Sequence, residues 1–429
     1  MAFSLAVVCF QCCFDGSKQA PEFTVRPTQR RAAQGRNEGA FGDNPRRVPS
    51  TLAHESPRHD RPARHPGSAD LHSAARQRSP GAVTVRPTGA ATLSGTVPQL
   101  RPERIPLASG FAEAAAARPP LGAIALGAPG HLDGMPTVDA RVLSPGGPMA
   151  DLWHSDAASV RTGRTGLAHW RTDGHWLFGA IALDEAAEGQ GLAELSQRIY
   201  RALFDTLDAT GTPHLVRIWN YLPQINADGG GMERYRQFNA GRQQAFVDAD
   251  RPAFEGAPAA CALGIRQGAL CVSFLAGQRA PLPIENPRQV SAYRYPSTYG
   301  PRAPTFSRAA IADLGGALTL FISGTASIVG HETCHPGDVR EQTRETLRNL
   351  AAVVDAANAT GTARFALESL DAVVYVRHAA DVPAILAVID ETLGAGSHLA
   401  RHAVVLEADV CRSDLLVEIE GHAMALAAP

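Results

Sequence analysis

The chain has 429 residues, 45% of them apolar and 19% charged, and a net charge of −2. This length suits two domains with additional segments, and the composition is that of an ordinary globular protein. So small a net charge argues against a nucleic-acid binder and against a membrane-surface protein, and no apolar run approaches the roughly 20 residues of a membrane helix.

Residues 1–14 are apolar but lack a basic leading segment and a convincing cleavage site. A cytoplasmic protein is therefore expected, with a signal peptide as the alternative. From 15 to about 102 the chain is rich in Arg, Pro, Gly and Ser, without sustained periodicity. Such a stretch buries too little apolar area to offset its ordering entropy. Residues 1–104 thus read as a disordered or non-native extension, with a nucleic-acid-binding arm as the rival. Fifteen of the basic side chains fall within 1–105 against eight acidic ones, which leaves the remainder acidic. The seven cysteines (Cys9, Cys12, Cys13, Cys261, Cys271, Cys334 and Cys411) form no small-domain disulfide framework, which suits a reducing compartment.

Folded structure is expected from near Pro106. Residues 123–126 and 176–182 read as strands. An amphipathic helix follows at about 192–210, with Leu195, Ile199, Leu203 and Leu207 at helical spacing. A turn at 210–213 leads into a strand at 215–221. The same grammar recurs with a helix at 338–357, a strand at 370–376, a helix at 382–393 and strands at 403–408 and 415–420. The two helix-to-strand units suggest one duplicated α/β module with mixed sheets, divided as 105–320 and 321–429. The link between the last two strands is too short for a crossover and predicts antiparallel neighbours.

Several runs carry a resemblance. Residues 337–350 (GDVREQTRETLRNL), 371–377 (DAVVYVR) and 417–420 (VEIE) resemble the RidA/YjgF family, whose modules pack sheets around a three-fold axis with sites between modules. Residues 218–226 (IWNYLPQIN), 233–242 (ERYRQFNAGR), 323–333 (SGTASIVGHET) and 408–418 (ADVCRSDLLVE) keep their order across about 105–429. Together they resemble the chorismatase family, which holds two RidA-like modules in one chain. The resemblance implies cleavage of chorismate to pyruvate and a cyclic carboxylic acid, without a cofactor, since no net redox change or external group transfer occurs. It leaves open a monomer or a homo-oligomer, a trimer among the options.

Chorismate is a dicarboxylate with an enol ether. Acid cleavage needs a proton donor to the vinyl carbon that stays protonated near neutral pH, which a buried carboxyl provides. Strand alternation puts Glu418 and Glu420 on one face with Leu416, where neighbouring carboxylates push at least one pKa upward. The resemblance assigns the donor to Glu418 and leaves Glu420 to support the strand or the site's electrostatics. It implies Arg242 and Arg308, bidentate partners for carboxylates, and Tyr235 and Tyr295 as substrate-binding residues, with Arg377 a weaker candidate.

Gly324 and Cys411 stand where chorismatase subtypes differ. A bulkier residue at 324 goes with hydrolysis to a dihydroxy-cyclohexadiene carboxylate. Glycine there with cysteine at 411 goes with 3-hydroxybenzoate, alongside some 4-hydroxybenzoate. A RidA-like imine or enamine hydrolase and a non-catalytic binding module are the rivals. Outside the resemblance, each of these residues also reads as an ordinary packing or surface residue. His331, Cys334 and His335 raise zinc ligation, but Gly330 and Pro336-Gly337 interrupt any helix, so no metal is expected and His331 is taken to brace the preceding loop. Gly229, Gly230 and Gly231 lack the lysine of a phosphate loop and read as a mobile connector.

Overall fold

The computed structural model describes residues 97–107, 119–128 and 136–426. Expectations for the extension and for Cys9, Cys12 and Cys13 lie outside these residues, except at its end. There Leu100–Pro106 is a strand, not part of an unstructured segment. Pro102 and Pro106 hide it in the sequence, because proline removes ladder donors. Among the described residues it is an edge strand, paired only with Met149–Ser155, and an edge tolerates proline.

The mixed α/β architecture expected from the sequence is present, and its duplication is visible in topology. One six-stranded sheet runs in the order Ala259–Ile265, His214–Pro223, Leu270–Gly277, Trp176–Leu183, Ala168–Thr172, Arg161–Thr165. A seven-stranded sheet repeats it as Val404–Glu407, Asp371–Val376, Val417–Met424, Leu318–Ala326, Ala309–Asp313, Leu282–Ile284, with Arg141–Val142 added beyond Val404–Glu407. In each, a hairpin is followed by a helix (Leu192–Thr210 or Val339–Ala359) and a central strand. A second helix (Arg234–Asp248 or Val382–Leu393) then leads to a strand parallel to the central one. The final strand inserts between hairpin and central strand.

That insertion corrects one expectation. The last two strands do run in opposite directions, but Asp371–Val376 lies between them. Periodicity announces a strand without naming its partner. The strand Leu318–Ala326 also spans the expected boundary at 320/321, and the second copy begins as early as Leu282–Ile284. Ala309-Ala310-Ile311-Ala312 carries too little β-propensity to advertise that hairpin.

A four-stranded sheet (Leu100–Pro106, Met149–Ser155, Gly122–Leu126, Thr137–Val138) completes the architecture. These three sheets contribute to one apolar core, which joins Trp153, Trp219, Cys261, Phe321, Tyr375 and Leu406. The helices cover the outer faces of the two larger sheets in separate clusters. Asp338, the expected start of its helix, caps it by accepting from the Glu341 amide. The helix at 192–210 has the predicted bounds and ends on Gly211 in the left-handed region.

Candidate active site

The seam between the copies holds a cavity of about 280 Å³, at the lower edge of the roughly 300–1,000 Å³ usual for small-molecule sites. Tyr235, on the helix Arg234–Asp248, comes from the first copy. Tyr295, Phe306 and Arg308 come from the 285–308 loop, Gly324 from Leu318–Ala326, Cys411 and Arg412 from the 408–416 connection, and Glu418 from the last strand. A void of about 30 Å³ adjoins it, walled by Arg242 and Cys261 together with Tyr235, Gly324, Cys411 and Glu418. Glu418, Cys411, Tyr235, Arg242, Tyr295, Arg308 and Gly324 therefore all face these adjoining spaces, although they lie on five separate chain segments.

Glu418 is 3% exposed and stands opposite Ala326 and Tyr375 in the sheet. Its pKa is pushed from 4.5 up to about 8, first by burial and then by the charge of Glu420, against the pull of Arg217 and Arg308. Glu418 is thus an acid at neutral pH. The expected face-sharing of Glu418 and Glu420 holds, with Leu416 just ahead of the strand. Gly324 sits in a bulge, where the register against the last strand shifts between Ile322 and Thr325. A Cβ at 324 would fall 1.9 Å from Oε1 of Glu418, so glycine leaves the space that the carboxyl occupies.

The Cys411 Sγ lies 4.0 Å from Oε2 of Glu418. Burial, then the nearby Glu418 charge, raises the thiol to about 12. It is therefore a neutral, weakly donating group at this site and not a thiolate nucleophile. Burial likewise raises the Tyr235 phenol, which remains a donor.

The arginines are arranged for an anionic guest. Arg242 is 1% exposed and anchored by donating from Nη2 to Asn239 Oδ1 at 2.9 Å, while its buried Nε has no partner. Its helix packs closely because Gly241 lies against the Ala193 carbonyl, where a Cβ would sit 1.9 Å away. Arg308 donates from Nη2 to Val290 O and Tyr295 Oη, each at 2.8 Å, and its Nε is also buried and unpartnered. Arg412 stacks 4.0 Å from the Tyr299 ring centroid, donates to Thr333 Oγ1, and leaves Nη2 buried without a partner. Buried guanidinium N–H groups without acceptors are costly and suit planar carboxylates. Sequence reasoning leaves Arg412 as one unassigned position within the 408–418 run. Its position directly after Cys411 was the available signal.

Arg377 does not line the cavity. It donates to Asp409 Oδ1, Asn226 Oδ1 and the carbonyls of Val410, Arg412 and Leu415, and so clamps the connection that carries Cys411 and Arg412. His331 stacks edge-on against Tyr299 beside the short hairpin Ile328–Val329 and Glu332–Thr333. No group of three or more metal-ligating side chains occurs among the described residues. The connector at Gly229 is pinned, since the Gln237 amide donates to Gly229 O at 2.7 Å and Met232 O at 3.0 Å.

Comparison with known proteins gives this geometry a family. Residues 151–276 match the family described as Chorismatase FkbO/Hyg5-like, N-terminal, and residues 302–425 match Endoribonuclease L-PSP. A 3-hydroxybenzoate synthase of Streptomyces hygroscopicus is 38% identical over 304 residues, covering 68% of this chain and 86% of that protein. The chain belongs to the chorismatase family. A chorismatase of Streptomyces rapamycinicus is 38% identical over 63% of this chain and 81% of its own length. A chorismatase crystal structure superposes with a TM-score of 0.68 at 31% identity, covering 77% of this chain and all of that one. The family's N-terminal match thus falls on the first copy, which supplies Tyr235 and Arg242. The second match contains Arg308, Gly324, Cys411 and Glu418.

Proposed function

We propose that this chain cleaves chorismate to pyruvate and a hydroxybenzoate, chiefly 3-hydroxybenzoate, with Glu418 as the proton donor. One observation carries the reading: a carboxyl held protonated to about pH 8 faces a cavity whose arginines point unpartnered N–H groups into buried space. Relatives named 3-hydroxybenzoate synthase and chorismatase support the same substrate.

Arg242, Arg308 and Arg412 hold the two carboxylates, and Tyr235 and Tyr295 hydrogen-bond and pack against the ring. Glu418 protonates the methylene carbon of the enolpyruvyl group, and the ether oxygen shares the resulting positive charge. The ring carbon–oxygen bond then breaks, with its electron pair completing the keto group of pyruvate. The oxygen of the adjacent ring hydroxyl bonds to the vacated carbon as its own proton leaves. Its bond to the original carbon breaks as it is reprotonated, and loss of the proton on the vacated carbon gives aromatic 3-hydroxybenzoate and can restore Glu418. Without this shift the product is 4-hydroxybenzoate. Hydroxybenzoic and pyruvic acids together contain the atoms of chorismic acid, so the balance needs neither water nor an oxidant.

Gly324 keeps space beside the carboxyl, and the neutral Cys411 thiol next to it favours the aromatic product over water addition. The hydrolytic route to a dihydroxy-cyclohexadiene carboxylate is the alternative outcome, with 4-hydroxybenzoate as a minor product. The described lining of the cavity draws on both copies within one chain. The free thiols of Cys261, Cys271, Cys334 and Cys411 suit a cytoplasmic enzyme.

Incubating purified protein with chorismate, quantifying pyruvate and identifying the ring product by chromatography tests this reading. Stoichiometric pyruvate and 3-hydroxybenzoate are expected. Turnover of short 2-imino acids without chorismate cleavage, or tight chorismate binding without turnover, would overturn it.

A further inference from the structure

Behind Glu418, away from both cavity walls, lies a second buried charge system. Arg217 on the strand His214–Pro223 is 1% exposed and pairs through Nη2 with Oε2 of Glu420, itself 2% exposed. Tyr375 donates to Oε1 of Glu420 at 2.5 Å, and Tyr221 Oη lies 2.8 Å from Tyr375 Oη. The Arg217 guanidinium packs 5.5 Å from the Trp219 ring centroid, and its Nη1 is buried without a partner. A fully buried ion pair with an unsatisfied donor is poor evidence for a stabilising device, because desolvation offsets the attraction. Its location suggests another use.

Glu418 and Glu420 are two residues apart on one face of the last strand and share the same dry interior. Two coupled carboxyls of this kind would ordinarily share a proton, and neither would own a titration step. Here the surroundings differ. Glu420 meets the Arg217 guanidinium and the Tyr375 hydroxyl, with the Cys261 thiol and the Tyr221 phenol also beside it. Glu418 meets Cys411 from the connecting loop, Cys261 from Ala259–Ile265, Tyr235 and Arg242 from the helix, Arg308 from the cavity loop, and only Gly324 and Ala326 from the neighbouring strand. Tyr375, opposite Glu418 in the sheet, gives its hydroxyl to Glu420.

We infer that Arg217 is a positioning residue: it fixes the negative charge on Glu420 and thereby leaves the transferable proton on Glu418, at the cavity. The inference rests on the chorismate-cleaving reading for its kinetic arm only. Arg217 and Glu420 line neither of the two adjoining spaces at Glu418 and act through Glu418. The charge of Glu420 outweighs the pull of Arg217 on the Glu418 proton, and Glu420 cannot take that proton while paired.

The test compares pH profiles of pyruvate release in the full chain for wild type, E420Q, R217M and the double variant R217M/E420Q. In E420Q the bare guanidinium favours ionised Glu418. The alkaline limb of kcat is expected to fall by one pH unit or more, with at least about a fivefold loss at pH 8 and little change in KM. In R217M the limb moves up or splits into two steps. The double variant returns to within about half a unit of wild type, because both charges are gone. A structural role alone would lower kcat without moving the limb. An unmoved limb in E420Q, or a double variant no nearer to wild type than the singles, overturns the inference.

Infrared difference titration supplies a second arm that needs no substrate and no variant of the pair. Glu285, another carboxyl pushed upward by burial, is first removed by E285Q. In that background, one buried protonated carboxyl titrating near pH 8 is expected, and it must vanish in E418Q. A protonated band that survives E418Q between pH 6 and 8 belongs to Glu420 and overturns the assignment, whatever chorismate does.

Discussion

Replacing Glu418 by Gln separates the electrostatic argument from the kinetic one, because a buried acid leaves a signature in stability as well as in rate. The folded chain holds the Glu418 proton up to about pH 8, whereas the unfolded chain releases it near the ordinary 4.5. Since the folded pKa is raised, the contribution is complete below 4.5 and is lost as pH rises through 8. Linkage at about 1.36 kcal/mol per pH unit across this window gives a loss of about 4 kcal/mol between pH 5 and pH 9. Glutamine has the same shape and does not titrate, so E418Q escapes the loss. Its stability relative to wild type should therefore rise by about 4 kcal/mol from pH 5 to pH 9, or roughly 6 °C in Tm for a fold of this size. Urea unfolding of both proteins at pH 5, 7 and 9 measures the difference. Pyruvate release from E418Q should fall by about 100-fold or more, within the range for loss of a general acid. Stability differences that stay flat with pH would refute a buried protonated acid at 418, even if the variant were inactive.

Other substitutions probe the walls around that carboxyl. Gly324→Ala places a methyl 1.9 Å from Oε1 of Glu418 at ordinary backbone angles; kcat should drop at least tenfold and the ring product shift toward the dihydroxy-cyclohexadiene carboxylate, both read by chromatography. Arg308→Met should raise KM by about tenfold or more, the scale of one lost charge-assisted contact, and Arg412→Met should do likewise if its unpartnered Nη2 receives a carboxylate. Steady-state kinetics in which KM moved in neither would remove the dicarboxylate assignment. Arg377→Ala deletes the clamp on the 408–416 connection and should cost about 2–4 kcal/mol in urea unfolding, lowering kcat more than it raises KM.

The fold was legible where one segment carries its own pattern. Leu195, Ile199, Leu203 and Leu207 form a complete apolar stripe, and the helix has the predicted bounds. Asp338 announces the cap that the structure contains. Strand order was not legible, because it depends on partners distant in the chain. The last strand alternates correctly, yet nothing local says that it enters between Leu318–Ala326 and Asp371–Val376. The Leu100–Pro106 strand is the converse case: its own sequence argues against a strand, and the edge of the Met149–Ser155 ladder makes one of it.

The site divides along the same line. Alternation alone put Glu418 and Glu420 on one face, where elementary electrostatics pushes at least one of their pKa values upward. Choosing between them took a resemblance in sequence, whereas the structure offers a physical reason. Arg217 lies 203 residues before Glu420 in the chain, yet meets it in the interior. Without that guanidinium the two carboxyls would be nearly equivalent in burial, and the cavity would adjoin an acid only part of the time. The duplication is what brings them together: the central strand of one copy carries the arginine, and the inserted strand of the other carries both glutamates. A single copy has an inserted strand but no second sheet facing it, so it can bury a pair of carboxyls without assigning their proton. On this account the tandem arrangement supplies the site's acid–base asymmetry as well as its walls.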